Sequence, residues 1–299
     1  MKTPQLPVPK LAQALGLTTE LWFKREDLHK HGSQKGRSIP LMIKEYYRQG
    51  IRKFIISSSG NAALSAIIDI QNHNLSKSKE PLSLTIFVGE HIEPRKLDKL
   101  KKAITDSHIK LEQTEYAKAT ALQLEKENPD TKYLRQSTDE LALRGYLELA
   151  EELGKIPELF AVFIPTSSGT TAQGLALGFQ KLTPPPQLHI VQTSSCHPIV
   201  DAISPPSEGG AGGGETSLAS GIVDNVGHRK EALAEAVKAS NGNGWIITNE
   251  EIKQAIEIVK KTTELTISGT SALSIAGLQK ALKNGWKPTG TVVCLITGE

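Results

Sequence analysis

Lys35 and a turn at residues 57–61 are the parts of this sequence best suited to chemistry. Lys35 comes just after Gly32 and Ser33, and the turn (SSSGN) lies between an apolar run and an Ala-rich run. A lysine at a helix start lies against the positive end of the helix dipole, which favours a neutral, nucleophilic amine. Backbone N–H groups at a strand-to-helix turn bind carboxylates or phosphates. The pair predicts a reactive amine acting on a small anion; a solvated lysine and an ordinary helix cap are the alternatives.

A second glycine-containing segment, residues 166–174 (TSSGTTAQG), also leaves an apolar run and enters a helical pattern. Its hydroxyl groups and small residues allow a phosphate to approach the backbone closely. It lacks the Gly-Lys-Ser/Thr signature of nucleotide P-loops and the GxGxxG pattern of dinucleotide-binding folds. It therefore predicts a phosphate site of another kind, and a capped helix in the core is the alternative.

The last apolar run, residues 291–296, is followed by Thr297 and Gly298. Open α/β sheets bind their ligands at the carboxyl ends of parallel strands. The Thr297 hydroxyl is therefore a candidate ligand contact, and a frayed terminus is the alternative.

The elements that must position these residues alternate between strand-like and helical patterns. Runs rich in β-branched or aromatic residues occur at 21–23, 53–56, 82–88, 160–164, 188–192, 245–247 and 291–296. Polar residues near Ser59, Ser137, Thr248 and Ser268 mark helix starts. This alternation predicts a parallel sheet covered by helices on both faces. Residues 204–214 (SPPSEGGAGGG) predict a surface loop or flexible flap.

Composition excludes several classes of protein. The 299 residues are 38% hydrophobic, and 35 basic against 32 acidic residues give a formal net charge of +3 with both signs mixed along the chain. This pattern argues against a nucleic-acid partner. No signal peptide and no apolar run of about 18 residues is visible, so we expect a cytoplasmic protein without a membrane anchor. Cys196 and Cys294 belong to no metal-ligand pattern, so we expect buried or inert thiols and no metal site.

Four segments, in this order, resemble the fold-type II pyridoxal phosphate enzymes (the tryptophan synthase beta-like superfamily), in particular threonine synthases and serine/threonine ammonia-lyases. They are the Lys-x-Glu and Gly-Ser-x-Lys pattern of residues 24–35, the turn at 58–61 (the SSGN turn), the small-residue loop at 167–171 (the SSGTT loop) and the final Thr-Gly at 297–298. The late segments ITNEEI, ELTISGTSALSIAGL and VVCLITG also look like this family. The resemblance covers nearly the whole chain.

The resemblance implies a role for each segment. Lys35 would form a Schiff base with pyridoxal 5'-phosphate and move the substrate's α-proton, and Thr297 would hydrogen-bond the pyridine nitrogen. The substrate carboxylate would be held by Ser58, Ser59, Gly60 and Asn61. Asn61 would also touch the pyridine 3-hydroxyl. The cofactor phosphate would be wrapped by Ser167, Ser168, Gly169, Thr170 and Thr171. A neutral hydroxyl on the ring nitrogen favours elimination and replacement at the β or γ carbon.

Several positions depart from the family pattern. Where relatives often carry Asn-Pro-Thr and Lys-Asp-Arg, residues 29–31 read HKH and residues 35–37 read KGR; Ser167 replaces the usual first glycine of the loop, and the chain stops at residue 299, where relatives commonly continue. His29 and His31 could act as acid/base groups at the substrate mouth or be solvated loop residues. Arg37 and Arg144 are candidates either for binding a substrate phosphate or for surface and interdomain ion pairs. The Glu26-Asp27 pair, beside Lys24 and Arg25, is expected to be structural.

The resulting prediction is a two-lobed α/β enzyme with mainly parallel, twisted sheets flanked by helices. Residues 41–140 would form a small lobe that closes on the substrate, and residues 1–40 plus 141–299 a large cofactor-binding lobe, with the cofactor in the cleft. Threonine synthase-like conversion of O-phosphohomoserine is the first choice of activity. The alternatives are a serine/threonine ammonia-lyase, a cysteine synthase or desulfhydrase type of activity, and a non-catalytic ligand-binding protein. We expect a small amino-acid substrate and a homodimer.

Overall fold

A computed structural model describes residues 2–76, 80–204 and 216–298 of the chain. It divides into two compact units, one of Met1–His29 with Tyr146–Glu299 and the other of Lys30–Gly145. Apart from Ser204, the predicted flap at residues 204–214 lies outside the described residues. No helix in those three described ranges has both the length and the apolar character needed to cross a membrane.

Helices and strands alternate along both units, as the sequence pattern predicted. The strands are β1 (Gln5–Pro7), β2 (Leu21–Arg25), β3 (Lys53–Ser57), β4 (Ser83–Gly89), β5 (Ile109–Thr114), β6 (Thr131–Tyr133), β7 (Leu159–Pro165), β8 (Gln187–Thr193), β9 (Asn243–Ile247) and β10 (Thr291–Ile296). The helices are α1 (Pro9–Ala14), α2 (Lys35–Arg48), α3 (Asn61–Asn74), α4 (Pro94–Ala103), α5 (Ala117–Glu127), α6 (Leu141–Arg144), α7 (Leu147–Leu153), α8 (Thr170–Phe179), α9 (Pro198–Ile203), α10 (Lys230–Ala239), α11 (Asn249–Thr263) and α12 (Gly269–Lys283).

The first unit is built on a six-stranded sheet of order β1-β2-β10-β7-β8-β9. Every neighbouring pair is parallel except β1 with β2. Consecutive residues of a strand point to opposite faces, and here both faces are apolar: Phe163 and Cys294 lie in one core cluster, Val162 and Leu295 in the other. Helices α1, α11 and α12 contribute to the first cluster, and α7, α8, α9 and α10 to the second. The predicted parallel sheet with helices on both faces is confirmed.

The second unit has its own sheet, of order β5-β4-β3-β6, in which all pairs are parallel. Helices α2 and α3 pack on one face through Ile39 and Ile67, and α5 covers part of the other face through Ala121. Strands β5 and β6 escaped the sequence analysis. They are edge strands, and an edge strand need not be apolar on both faces; β5 (IKLEQT) has only two apolar residues, and β6 is three residues long. β1, also three residues long and at an edge, was missed for the same reason.

The second unit runs from Lys30 to Gly145, whereas the predicted small lobe covers residues 41–140. The first turn of α2 packs against α6. Ser38 Oγ donates to the carbonyl of Ala142 at 2.8 Å, and a Cβ on Gly145 would lie 2.5 Å from Ser38 Cα. The predicted bounds place Lys35 in the other lobe. The structure puts it in the same unit as the SSGN turn.

The charged segment after β2 is structural, as expected. Arg25 and Asp27 form an ion pair at 2.7 Å. Glu26 is fully buried and accepts a hydrogen bond from the Thr3 hydroxyl, while the buried Lys24 ammonium pairs with Glu152. Each of these carboxylates has a partner inside the unit. Both cysteines are buried, and burial raises the pKa of the Cys294 thiol, so Cys294 is the inert thiol that the sequence predicted.

Candidate active site

Lys35 is the first residue of α2. The turn before it contains Gly32 at φ +74°, a left-handed conformation that suits glycine. Ser33 Oγ accepts the N–H of Lys35 at 3.3 Å. The predicted Gly-Ser turn leading into a helix is therefore confirmed, and Lys35 itself is partly buried.

His29 and His31, in the segment that leads to Lys35, are both buried, with relative exposures of 5% and 3%. The alternative of solvated loop histidines is wrong for both. His31 Nδ1 lies 2.9 Å from the buried Ser65 hydroxyl of α3, so this hydrogen bond ties the segment before Lys35 to the helix that follows the SSGN turn. Of the two candidate arginines, Arg37 is buried and Arg144 is exposed.

The SSGN turn joins β3 to α3, and all four of its residues are partly buried. Gly60 occupies the cap position of α3, where no side chain forms a capping hydrogen bond. Ser58 Oγ instead accepts the N–H of Gly60 at 3.3 Å. A Cβ on Gly60 would meet nothing within 4 Å. The turn is therefore not the ordinary Ser or Asn cap that the sequence left open, and a helix start without a side-chain cap suits an anion.

A cavity of about 350 Å³ opens beside the SSGN turn, at the carboxyl edge of the second unit's sheet. Its lining residues are Ser59, Gly89, Glu90, His91, Ile92, Glu93, Lys96 and Glu115. Three carboxylates face one ammonium group there, and Lys96 Nζ lies 3.9 Å from Glu93 Oε2. This lining favours cationic or neutral groups over a phosphate. The motif analysis did not find the cavity, since its residues come from segments after three different strands.

The SSGTT loop joins β7 to α8 in the first unit. Gly169, at the cap position of α8, has φ +84°, and no side chain forms a capping hydrogen bond. A Cβ there would lie 2.5 Å from Leu233 Cδ1 and 3.2 Å from Ile199 Cδ1, so a side chain would have to adopt a left-handed conformation and also displace the end of Leu233. The hydroxyls of Ser168 and Thr170 lie 3.0 Å apart. The loop thus presents small polar groups at an uncapped helix N-terminus, as a phosphate site needs.

A segment that the sequence analysis missed packs against the SSGTT loop. Ser167 Oγ accepts backbone N–H groups from Val223 and Asp224 at 3.1 and 3.3 Å. The buried Arg229 donates to Gln173 of α8 at 2.8 Å. These contacts anchor the loop and bring a guanidinium group to α8. The local sequence VDNVGHR has neither a periodic pattern nor a ligand motif, so no signal in it points to this role.

Thr297 follows β10 and is 1% exposed, so the frayed-terminus alternative is wrong. Its Oγ1 is buried and finds no hydrogen-bond partner among the residues that the structure describes. A buried polar group left unsatisfied costs about 1–3 kcal/mol. Because β10 pairs in parallel with β7, Thr297 and the SSGTT loop both lie at the carboxyl edge of the same sheet. A ligand that places its phosphate at the loop and a hydrogen-bonding ring atom at Thr297 fits this edge.

The residues present therefore suit pyridoxal phosphate, which carries a phosphate, a ring nitrogen and an aldehyde that reacts with an amine. The SSGTT loop fits the phosphate, and the buried Thr297 hydroxyl fits the ring nitrogen. The second unit, by itself, has Lys35 at the start of α2 and the SSGN turn at a start of α3 without a side-chain cap, residue types that suit an aldehyde and a carboxylate.

The chain is similar to known enzymes over nearly its whole length. Threonine synthase of Mycobacterium leprae is 25% identical over 312 residues, which are 99% of this chain and 80% of that protein. L-serine dehydratase/L-threonine deaminase of Mus musculus is 28% identical over 153 residues, 51% of this chain and 44% of that protein. The structure of maize serine racemase shares the fold, with a TM-score of 0.80 at 15% identity over 100% of this chain and 88% of that one.

A match to a whole protein family covers the chain as well as the matches to single relatives. The sequence model described as "Pyridoxal-phosphate dependent enzyme" matches residues 1–298. The fold-type II resemblance predicted from four short motifs is thereby confirmed, as is the cofactor. The chain belongs to the family of pyridoxal-phosphate dependent enzymes.

Proposed function

We propose that this enzyme catalyses elimination or replacement at the β or γ carbon of a small amino acid, with conversion of O-phosphohomoserine to threonine as the first candidate. The observation that carries the proposal is the buried Thr297 Oγ1, which has no partner among the described residues. A hydroxyl at the ring nitrogen, unlike a carboxylate, leaves that nitrogen unprotonated. The ring is then a weaker electron sink, which favours elimination and replacement chemistry.

The cofactor, when bound, supplies the electron sink for reactions at the carbons of the amino acid. Lys35 Nζ is the nucleophile that attaches the cofactor and the base that moves the substrate's α-proton. Its backbone is the first residue of α2, directly after the turn that contains Gly32. The backbone N–H groups of the SSGN turn bind the substrate carboxylate, and Asn61 also donates toward the ring hydroxyl.

The first unit orients the cofactor. The SSGTT loop and the N-terminus of α8 would hold the phosphate, with Gly169 allowing the backbone to approach it; the hydroxyls of Ser168 and Thr170 lie 3.0 Å apart in this loop. The Thr297 hydroxyl donates to the ring nitrogen. Both contacts come from neighbouring parallel strands, so the packed sheet holds them at a fixed spacing.

Two observations bear on the choice of substrate. The threonine synthase relative matches 99% of the chain, whereas the deaminase relative matches 51%, which supports O-phosphohomoserine as the first candidate. The lining of the cavity beside Ser59 includes three carboxylates and one ammonium group, so a substrate phosphate would have to bind elsewhere, with Arg37 and Arg144 as the candidate partners. A serine or threonine ammonia-lyase needs no such phosphate site, and this makes it the second candidate.

The decisive experiment compares the visible absorbance of the purified protein with added pyridoxal phosphate for the wild type, Lys35→Ala and Lys30→Ala. Lys30 is an exposed lysine of the same segment and serves as the matched control. We expect a cofactor band in the wild type and in the Lys30 variant, and no such band in the Lys35 variant. A band that survives in Lys35→Ala would refute the assignment of this lysine.

A substrate panel then separates the candidate activities. Release of phosphate and formation of threonine from O-phosphohomoserine identify a threonine synthase type. Release of ammonia and a keto acid from serine or threonine identifies an ammonia-lyase, and turnover of cysteine or of an activated serine identifies the cysteine-related activities. A protein that shows the band but converts none of these substrates is the non-catalytic alternative.

A further inference from the structure

The backbone directly after Thr297 is held by two serine hydroxyls at the start of α12. Ser271 Oγ accepts the N–H of Gly298 at 3.2 Å and lies 3.2 Å from its carbonyl oxygen, to which Ser268 Oγ donates at 2.8 Å. The two hydroxyls are 3.1 Å apart. The N–H and the carbonyl of Gly298 are thus both hydrogen-bonded to side chains. Gly298, the residue after the buried Thr297, is therefore held on each side of its Cα.

The two serines are themselves held in place by the helix. Ser268 is the cap of α12 and accepts the N–H of Ser271 at 3.1 Å. Ser271 is 1% exposed, which leaves its hydroxyl little room for another rotamer. Gly298 has φ +93°, a conformation that suits glycine. The end of β10 is therefore locked to the start of α12 through side chain-to-backbone hydrogen bonds.

We infer that Ser271 is a positioning residue that sets the direction of the Thr297 hydroxyl. Threonine is β-branched, so its χ1 is stiff and the hydroxyl follows the orientation of the backbone. The hydrogen bonds of Ser271 to Gly298 fix that orientation one residue further along the chain. The inference rests on the proposed function, because the direction of this hydroxyl matters to a reaction only when it meets the cofactor ring.

A spectroscopic comparison of Ser271→Ala, Thr297→Ala and Ser274→Ala tests the inference. Ser274 is a matched control in the same helix: it is fully buried, and its hydroxyl donates to the helix carbonyl of Ser271 at 2.9 Å and not to Gly298. The measurements are the dissociation constant of pyridoxal phosphate and the dependence of the bound cofactor's absorbance on pH. Far-UV circular dichroism confirms that each variant is folded.

We expect Ser271→Ala to raise the dissociation constant about five-fold, the factor that corresponds to one hydrogen bond of ordinary net strength. Its absorbance should move in the same direction as that of Thr297→Ala, and the double variant should show no further shift, because both changes affect the same contact. Ser274→Ala should keep the wild-type constant and spectrum. If Ser271→Ala does not fold, Ser268→Ala, which removes the 2.8 Å bond to the same carbonyl, replaces it with the same expected direction.

Three outcomes would overturn the inference. In the first, Thr297→Ala alters the absorbance but the serine variant behaves as the wild type. In the second, the effects of the serine and threonine changes add, as two independent losses do. In the third, Ser274→Ala produces the same change, which would indicate a general disturbance of α12. A wild type that shows no cofactor band at all is a different result, because it refutes the proposed function and the inference together.

Discussion

Two helices of the first unit begin with almost the same tetrapeptide but start in different ways. Residues 168–171 read SGTT at α8, and residues 268–271 read SGTS at α12. α12 uses the serine as its cap: Ser268 is extended, at φ −69° and ψ 160°, and its hydroxyl accepts the N–H of Ser271. α8 uses the glycine: Gly169 is left-handed, at φ +84°, and no side chain caps the helix.

The surroundings of the two glycines also differ. A Cβ on Gly169 would strike the side chains of Leu233 and Ile199, whereas a Cβ on Gly269 would lie 2.3 Å from the backbone oxygen of Leu218. At α12 a side chain satisfies an N–H group of the first turn, so this helix start is structural. At α8, as at the SSGN turn of α3, no side chain caps the helix, and the proposed function assigns a ligand to each of these helix starts. Similar residues therefore serve opposite purposes, and each prediction below tests this division.

The largest effect is expected from Gly169→Ala. A side chain there must adopt a left-handed conformation and also displace Leu233, so we expect a loss of about 2–5 kcal/mol in the free energy of unfolding together with weaker cofactor binding. Chemical denaturation and cofactor titration measure the two effects.

Gly60→Ala is the matched control for that change. Gly60 has a negative φ, and a Cβ there meets nothing within 4 Å. We expect the variant to be about as stable as the wild type but to bind the substrate less well, because the methyl group enters the space assigned to the carboxylate. Equal loss of stability in both variants would contradict the division between the two glycines.

Acid should weaken the sheet beneath α8 and α12 alike. His189 of β8 is buried against Phe163, its Nδ1 accepts from Trp245 Nε1 at 3.1 Å, and burial lowers its pKa from 6.5 to about 3. Below pH 6.5 the unfolded chain binds a proton at His189 while the folded protein does not. The stability that the neutral His189 contributes is therefore complete above pH 6.5 and is lost as the pH falls toward 3. We expect about 2–3 kcal/mol less stability at about pH 4.5 from this residue alone.

Denaturation of the wild type and of His189→Phe over that pH range isolates this contribution. The variant keeps an aromatic ring beside Phe163 but has no group to titrate. Its overall stability is expected to be lower, because Trp245 loses its acceptor, and its stability should fall less steeply with pH. If the free energies of unfolding of the two proteins fall equally with pH, His189 is not responsible for the loss of stability in acid.

A smaller effect is expected at a structural cap. Thr248 of α11 forms a reciprocal capping box with Glu251, so Thr248→Ala should lower the free energy of unfolding by about 1 kcal/mol. Cofactor affinity should stay at the wild-type value, because this helix start has no proposed ligand. Thermal denaturation and cofactor titration check the two parts, and weaker cofactor binding would show that caps and ligand sites are not separate.

The smallest change in stability is expected from Ser168→Ala. The Ser168 hydroxyl makes a bond to Thr170 Oγ1 but does not cap α8, so stability should change by no more than about 0.5 kcal/mol. Cofactor affinity should fall, since the hydroxyl lies in the SSGTT loop. The opposite result would be a loss of about 1 kcal/mol in stability, as for a true cap, with unchanged cofactor affinity. It would show that Ser168 acts as a cap, as Ser268 does, and not as part of a ligand site.

Much of the fold could be predicted because its central strands are apolar on both faces. β7 and β10 are continuous apolar runs, since each of their faces packs against helices. β1, β5 and β6 could not be found in this way, because edge strands carry polar residues or are too short to show a pattern. The capping box at Thr248 was visible, since all of its hydrogen bonds are local to the chain.

The sequence predicted the segments of the candidate site but not the residues that pack around them. Lys35 after a Gly-Ser turn and Thr297 after an apolar run are local features, and the structure shows both. The burial of His31 against Ser65 depends on residues far apart in sequence, as does the packing of Gly145 on α2. The roles proposed for Lys35, the SSGN turn, the SSGTT loop and Thr297 stay predictions until the cofactor experiments are done.

The sequence by itself determined the alternation of strands and helices, the order of the motifs and, through them, the family and its cofactor. These depend on local periodicity and on short motifs, which a linear reading can recognise. Only the tertiary structure decided which serine-glycine pair caps its helix and which leaves the helix start to a ligand. The neighbours differ at the two helix starts: Leu233 lies near Gly169 and the Leu218 backbone near Gly269, and Ser268 and Ser271 hold Gly298. Such neighbours come from distant parts of the chain and exist only once it has folded.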